Sequence, residues 1–172
     1  MGMFSFIKEA GEKLFGHKKV EEAAAAAATD PAHKATLDEL NASAAASIKT
    51  YIESQNLGAS NLAVSFDGAS GAVSVTGEAP TQEAVEKVTL CCGNVGGVTD
   101  VENMMTAADG GDESQYHDVA RGDTLSAIAI AIAKEYYGNA NKYMAIFEAN
   151  KPMLGHPDKI YPGQKLRIPA EA

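Results

Sequence analysis

Residues 107–115 read Ala-Ala-Asp-Gly-Gly-Asp-Glu-Ser-Gln, nine positions without one large apolar side chain. Glycine and aspartate there favour turns and solvated backbone. Such a stretch cannot cross a hydrophobic core, so it divides the 172-residue chain into two units. A second break precedes it. Residues 20–36 hold Glu21-Glu22, six consecutive alanines from Ala23 to Ala28, then Thr29-Asp30-Pro31. Alanine favours helix, but the segment has no apolar bulk to bury. It reads as a linker, part helical and mobile. The expected organisation is an N-terminal helical segment 1–19, a linker 20–36, a first unit 37–106, a linker 107–115 and a second unit 116–169.

Within these bounds the apolar spacing predicts elements. Met3, Ile7, Ala10 and Leu14 recur at four, three and four residues, one face of a short helix over 3–15. A helix this short is marginal alone and must dock on something. Leu37, Leu40, Ala44, Ile48 and Ile52 form a longer helical face. Leu62, Val64 and Phe66 alternate with polar neighbours, as do Val73 and Val75 beyond a turn at 67–71, which predicts a hairpin. Pro80 opens a second helix with Ala84, Val88 and Cys91 or Cys92 inward, and Gly93-Asn94 stops it. Val98, Val101 and Met104 or Met105 suggest a third strand. The second unit reads as a strand at 116–119, helices at about 125–137 and 141–150, and a strand at 165–168. The first helix is expected to be capped by Asp123 or Thr124. The fold class is α+β: two small domains, α-β-β-α-β and β-α-α-β, with a docked N-terminal helix.

Composition excludes several functions. There are 23 acidic against 14 basic residues, a net charge of −9. That surface repels phosphate backbones and anionic lipid, so neither nucleic acid nor membrane is an expected partner. No signal peptide is visible, and the longest apolar run, Ala127 to Ala133, is too short to span a bilayer. The cytoplasm is the expected compartment. The only two cysteines are adjacent and form no disulfide framework. The four histidines are scattered, with no pair at helical metal spacing. No nucleophile elbow, phosphate loop or dinucleotide fingerprint is present. An enzyme is not expected.

The residues Tyr116, Val119, Gly122-Asp123-Thr124-Leu125-Ser126, Ile128, Tyr137-Gly138-Asn139, Ile146, Ala149-Asn150 and Ile160-Tyr161-Pro162-Gly163-Gln164, Leu166, Ile168-Pro169 resemble a LysM domain. Residues 37–106 resemble a BON domain, through Val73, Val75, Gly77, Ala84, Gly97-Val98 and Val101. The pairing, the N-terminal Met1-Gly2, Phe4, Phe6, Lys8 and Ala10 to Leu14, and Phe147 to Leu154 are similar to the bacterial potassium-binding Kbp family. The Ala-rich segment looks like an insertion. The resemblance implies a cytoplasmic protein that binds K+ and becomes compact on doing so; a monomer is expected.

K+ is weakly hydrated, and neutral backbone carbonyls can replace its water shell. A carboxylate cage favours divalent ions instead. Such a site leaves no side-chain motif. Two places offer free carbonyls. One is the N-terminal segment, with Ile7, Ala10 and Glu12 as candidates around Gly11. The other is the loop after the second helix of the first unit, with Gly93, Val95, Gly97 and Val98. The competing expectation is a LysM module for glycan containing N-acetylglucosamine. It would use Gly122, Asp123, Thr124, Leu125, Met153 and Ile160.

Overall fold

The computed structural model of the protein describes residues 2–6, 11–121, 131, 134–135, 138, 143–156 and 159–169. The hairpin forms where alternation places it. Strands β2 (Ser60–Asp67) and β3 (Ala72–Ala79) pair antiparallel, with Val64 opposite Val75 and Phe66 opposite Val73. Its turn is closed by the Asp67 carboxylate, which accepts from the Ala69 N–H at 3.0 Å and the Ser70 hydroxyl at 2.6 Å. The Ser70 bond is the main reason the Asp67 carboxyl titrates below its ordinary range.

Two helices cover one core with this sheet. Helix α2 (Lys34–Ser54) contributes buried Ala44, Ala45, Ile48 and Ile52. Helix α3 (Gln82–Gly93) contributes Val88, Cys91 and Cys92. Its first turn is capped by Thr81, whose hydroxyl accepts from the Ala84 N–H at 3.1 Å, so Pro80 precedes the cap and does not open the helix. Strand β4 (Asp100–Asn103) runs parallel to β3, and the short β5 (Thr106–Ala107) pairs further along it. Parallel pairing needs a crossover, and α3 supplies it.

The N-terminal helix expected over 3–15 is corrected. Gly2–Ser5 forms a strand, β1, antiparallel to β4, and the sheet order is β1-β4-β3-β2. Phe4 and Phe6 are half-buried while Met3 and Ser5 are exposed. Period two prevails over the helical stripe because a β4 edge is there to pair with. Residues 7–10 lie outside the described residues.

The Ala-rich segment differs too. Helix α1 (His17–Thr29) takes up its alanine run and packs on α2, which itself begins within the segment at Lys34, and Val20 is buried in the core. The expected boundary at 19/20 falls inside this helix. Asp30 caps a single 3-10 turn at 31–33, accepting from the Ala32 N–H at 2.9 Å. Alanine propensity makes the helix, and one valine anchors it.

In the second unit, β6 (Gln115–Asp118) and β7 (Lys165–Ile168) pair antiparallel. Helix α4 (Tyr143–Ala149) packs on them, and Val119, Ile146, Leu154, Leu166 and Ile168 form a separate core. The helix expected at 125–137 lies largely outside the described residues, as does its cap.

Candidate functional site

The end of α3 is the place where all parts of the chain converge. Asn94 closes the helix by donating its N–H to the Leu90 carbonyl at 2.9 Å. The backbone then turns through Val95, Gly96 and Gly97, and Val98 donates back to the Val95 carbonyl at 3.1 Å. Gly97 takes φ +102°, and a Cβ there would meet the His17 Cβ at 2.5 Å. Glycine is required both by the backbone and by the approach of α1.

The N-terminal segment lies along this corner. Glu12 and Val95 form a parallel bridge. The Glu12 N–H donates to the Asn94 carbonyl at 2.8 Å, and the Gly96 N–H donates to the Glu12 carbonyl at 2.9 Å. Gly11, at φ +109°, passes so close that a Cβ would collide with the Asn94 carbonyl oxygen. Phe6 lies against Gly93, and its N–H donates to the Thr99 carbonyl at 2.6 Å.

The second unit touches the same corner. The Asn94 side-chain oxygen accepts from the Lys165 N–H at 3.1 Å, and its amide nitrogen donates to the Lys165 carbonyl at 3.3 Å. The Tyr161 hydroxyl donates to the Asn94 carbonyl at 3.4 Å. Lys165 places its ammonium 5.5 Å from the Phe6 ring centre and 2.6 Å from Asp118. Burial, then the charges of Cys91 and Glu12, push the Tyr51 hydroxyl up to about 12. Burial, then Tyr51 and Glu12, raise Tyr161 as well. Both are neutral hydroxyls at pH 7.

The candidate carbonyl residues are placed as follows. Gly93, Val95, Gly97 and Val98 are buried in one turn, and Glu12 is bridged to it. Ile7 and Ala10 lie outside the described residues. The Val95 carbonyl accepts from the Val98 N–H at 3.1 Å and keeps a second lone pair, whereas the Glu12 carbonyl accepts from both the Leu14 and Gly96 N–H groups, at 3.2 and 2.9 Å. Among the described residues no three His, Cys, Asp or Glu side chains gather to hold a metal ion. The corner offers main-chain oxygens at the negative end of a helix, which suits a weakly hydrated monovalent cation.

Of the glycan candidates, Gly122, Asp123, Thr124 and Leu125 lie outside the described residues. Met153 packs on the first core, and Ile160 on the second. Sequence reasoning passed over Asn94, Tyr161 and Lys165 as site residues. Asn94 read as part of a helix stop, and Tyr161 as part of a turn in the LysM-like motif. A buried asparagine bonded to a distant backbone leaves no local spacing.

Comparison with known proteins follows the same division. Residues 41–109 match the BON domain model and residues 117–169 the LysM domain model. The chain is 42% identical over 176 residues to the potassium binding protein Kbp of Escherichia coli O6:H1, covering 99% of this chain and 100% of that one. With both domains matched in order and the whole length aligned, the chain belongs to the Kbp family.

Proposed function

We propose that the protein binds K+ at the α3–β4 corner and that binding draws the N-terminal segment, the BON domain and the LysM domain into one compact, monomeric body in the cytoplasm. The ligands in this reading are backbone carbonyls of Glu12, Gly93, Val95, Gly97 and Val98. Ile7 and Ala10, on the same segment as Glu12, complete the set. The observation that carries it is the Glu12–Val95 bridge: the two stretches singled out as carbonyl sources meet, with the helix end between them. The relative's name points to the same ion. No catalytic role is assigned. The glycan reading is weaker because Met153, one of its candidate contacts, already packs on the BON core.

The test is thermal unfolding of the full chain in matched KCl, NaCl and LiCl. A ligand bound only by the native state raises stability by RT ln(1 + [L]/Kd). A saturable upward shift of Tm in KCl, absent in LiCl, is expected. Equal melting curves in all three salts overturn the reading.

A further inference from the structure

Asn94 holds both ends of the junction between the proposed ion corner and the LysM domain. Its main chain belongs to the corner, where the carbonyl accepts from Glu12 at 2.8 Å and from the Tyr161 hydroxyl at 3.4 Å. Its side chain belongs to the LysM sheet. The carboxamide accepts from and donates to the backbone of Lys165 at 3.1 and 3.3 Å, as a paired peptide group would. Asn94 is only 8% exposed, so water does not compete freely for these bonds. Lys165 opens β7 and is paired with Asp118 of β6, so whatever orients Lys165 orients the two-stranded sheet.

Among the described residues, Arg167 of β7 also pairs with α3, with Glu83 at 3.8 Å and with Glu86, and these contacts are of a different kind. Arg167 donates through Nε to Glu86 at 2.5 Å, and Glu86 also accepts from the Ser114 N–H at 2.6 Å. Neither group touches the corner. The Glu86 pair ties the domains together away from the turn, whereas Asn94 joins the turn itself to β7.

We infer that Asn94 is the positioning residue that transmits occupancy of the corner to the LysM domain, and that the ion and the docked LysM sheet favour each other through its carboxamide. This rests on the potassium reading above. Linkage makes the coupling reciprocal, so a loosened LysM domain also weakens the corner's hold on its ion. Asn94 takes φ −84°, so alanine fits the backbone and truncation leaves the turn intact.

The experiment is a KCl titration of the full chain followed by amide NMR. Gly96 and Val98 report the corner; Tyr161, Lys165 and Leu166 report the LysM sheet. In wild type both sets are expected to shift with one midpoint. In Asn94→Ala the corner set should still titrate, with a midpoint within about tenfold of wild type, while the LysM set loses its response. Asn94→Asp keeps the acceptor for Lys165 and loses the donor, so an intermediate response is expected. Tyr161→Phe removes one hydroxyl and no core volume; its LysM response should fall in part.

A LysM response in Asn94→Ala equal to wild type overturns the inference. So does loss of K+ response in both sets, which would make Asn94 part of the ion site itself. A wild type in which neither set responds overturns the potassium reading and this inference with it.

Discussion

Cys91 and Cys92 sit side by side at the bottom of the BON core, each 0% exposed. Burial pushes the Cys91 thiol up to about 12 and raises Cys92 as well. The thiolate is the reactive form, so neither is a nucleophile at pH 8 in the native state. A chromogenic thiol reagent at pH 8 should therefore label almost nothing in the native protein and two groups after unfolding in guanidinium. Rapid labelling of the folded chain would show that the core opens locally. Gly97 carries a sharper consequence. Its positive φ and its contact with His17 mean that Gly97→Ala strains the turn and displaces α1 together. The expected cost is about 1–3 kcal/mol by urea unfolding. A substitution at Gly97 thus disturbs more than a local loop, and Asn94 is the cleaner probe of the corner.

At the level of elements, α1 offers the clearest test. Val20 is 3% exposed and fills the space beside Gly68, while Ala25 faces solvent. Val20→Ala should lower stability by about 1–2 kcal/mol. Ala25→Ser should change it by a few tenths. Both are read from thermal melts; similar values for the two would mean that α1 does not dock. Much of the fold was legible beforehand. Leu62, Phe66, Val73 and Val75 announce the hairpin because their period is two, and Ile48 and Ile52 announce α2 because theirs is near four. Strand β1 was not legible as such. Met3, Ile7, Ala10 and Leu14 mimic a helix, and only the partner strand, distant in sequence, decides between the periods. The alternation of Phe4 and Phe6 was the overlooked signal. For the site, glycines flagged the corner, because a backbone that turns sharply needs them. Asn94 stayed hidden, since its partners are 71 residues away at Lys165.

At the scale of the whole molecule, a buried ion pair, Glu86 with Arg167, joins the two domains, with the more exposed Glu83 3.8 Å from the same guanidinium. Glu86 is 3% exposed and Arg167 6%, with 2.5 Å between Oε2 and Nε. Arg167→Met leaves a carboxylate buried without its partner and should cost about 3–5 kcal/mol by urea unfolding. Adding Glu86→Gln to that variant should recover a large part, because the stranded charge is gone. A double variant as unstable as the single one would place the cost in lost packing. The edge strand carries a separate consequence, one of timing. Ser5 donates to Asp100 at 2.8 Å, and these residues are 95 apart in the chain. At about 5–20 residues per second of synthesis, β1 leaves the ribosome roughly 5–20 s before the strand it pairs with. Throughout that interval the first strand has no edge to join, and Glu12 has no Val95 to meet. The nascent chain therefore carries an unpaired hydrophobic strand for seconds, open to chaperones and to neighbouring chains, and assembles the corner proposed to hold K+ only after α3 has emerged.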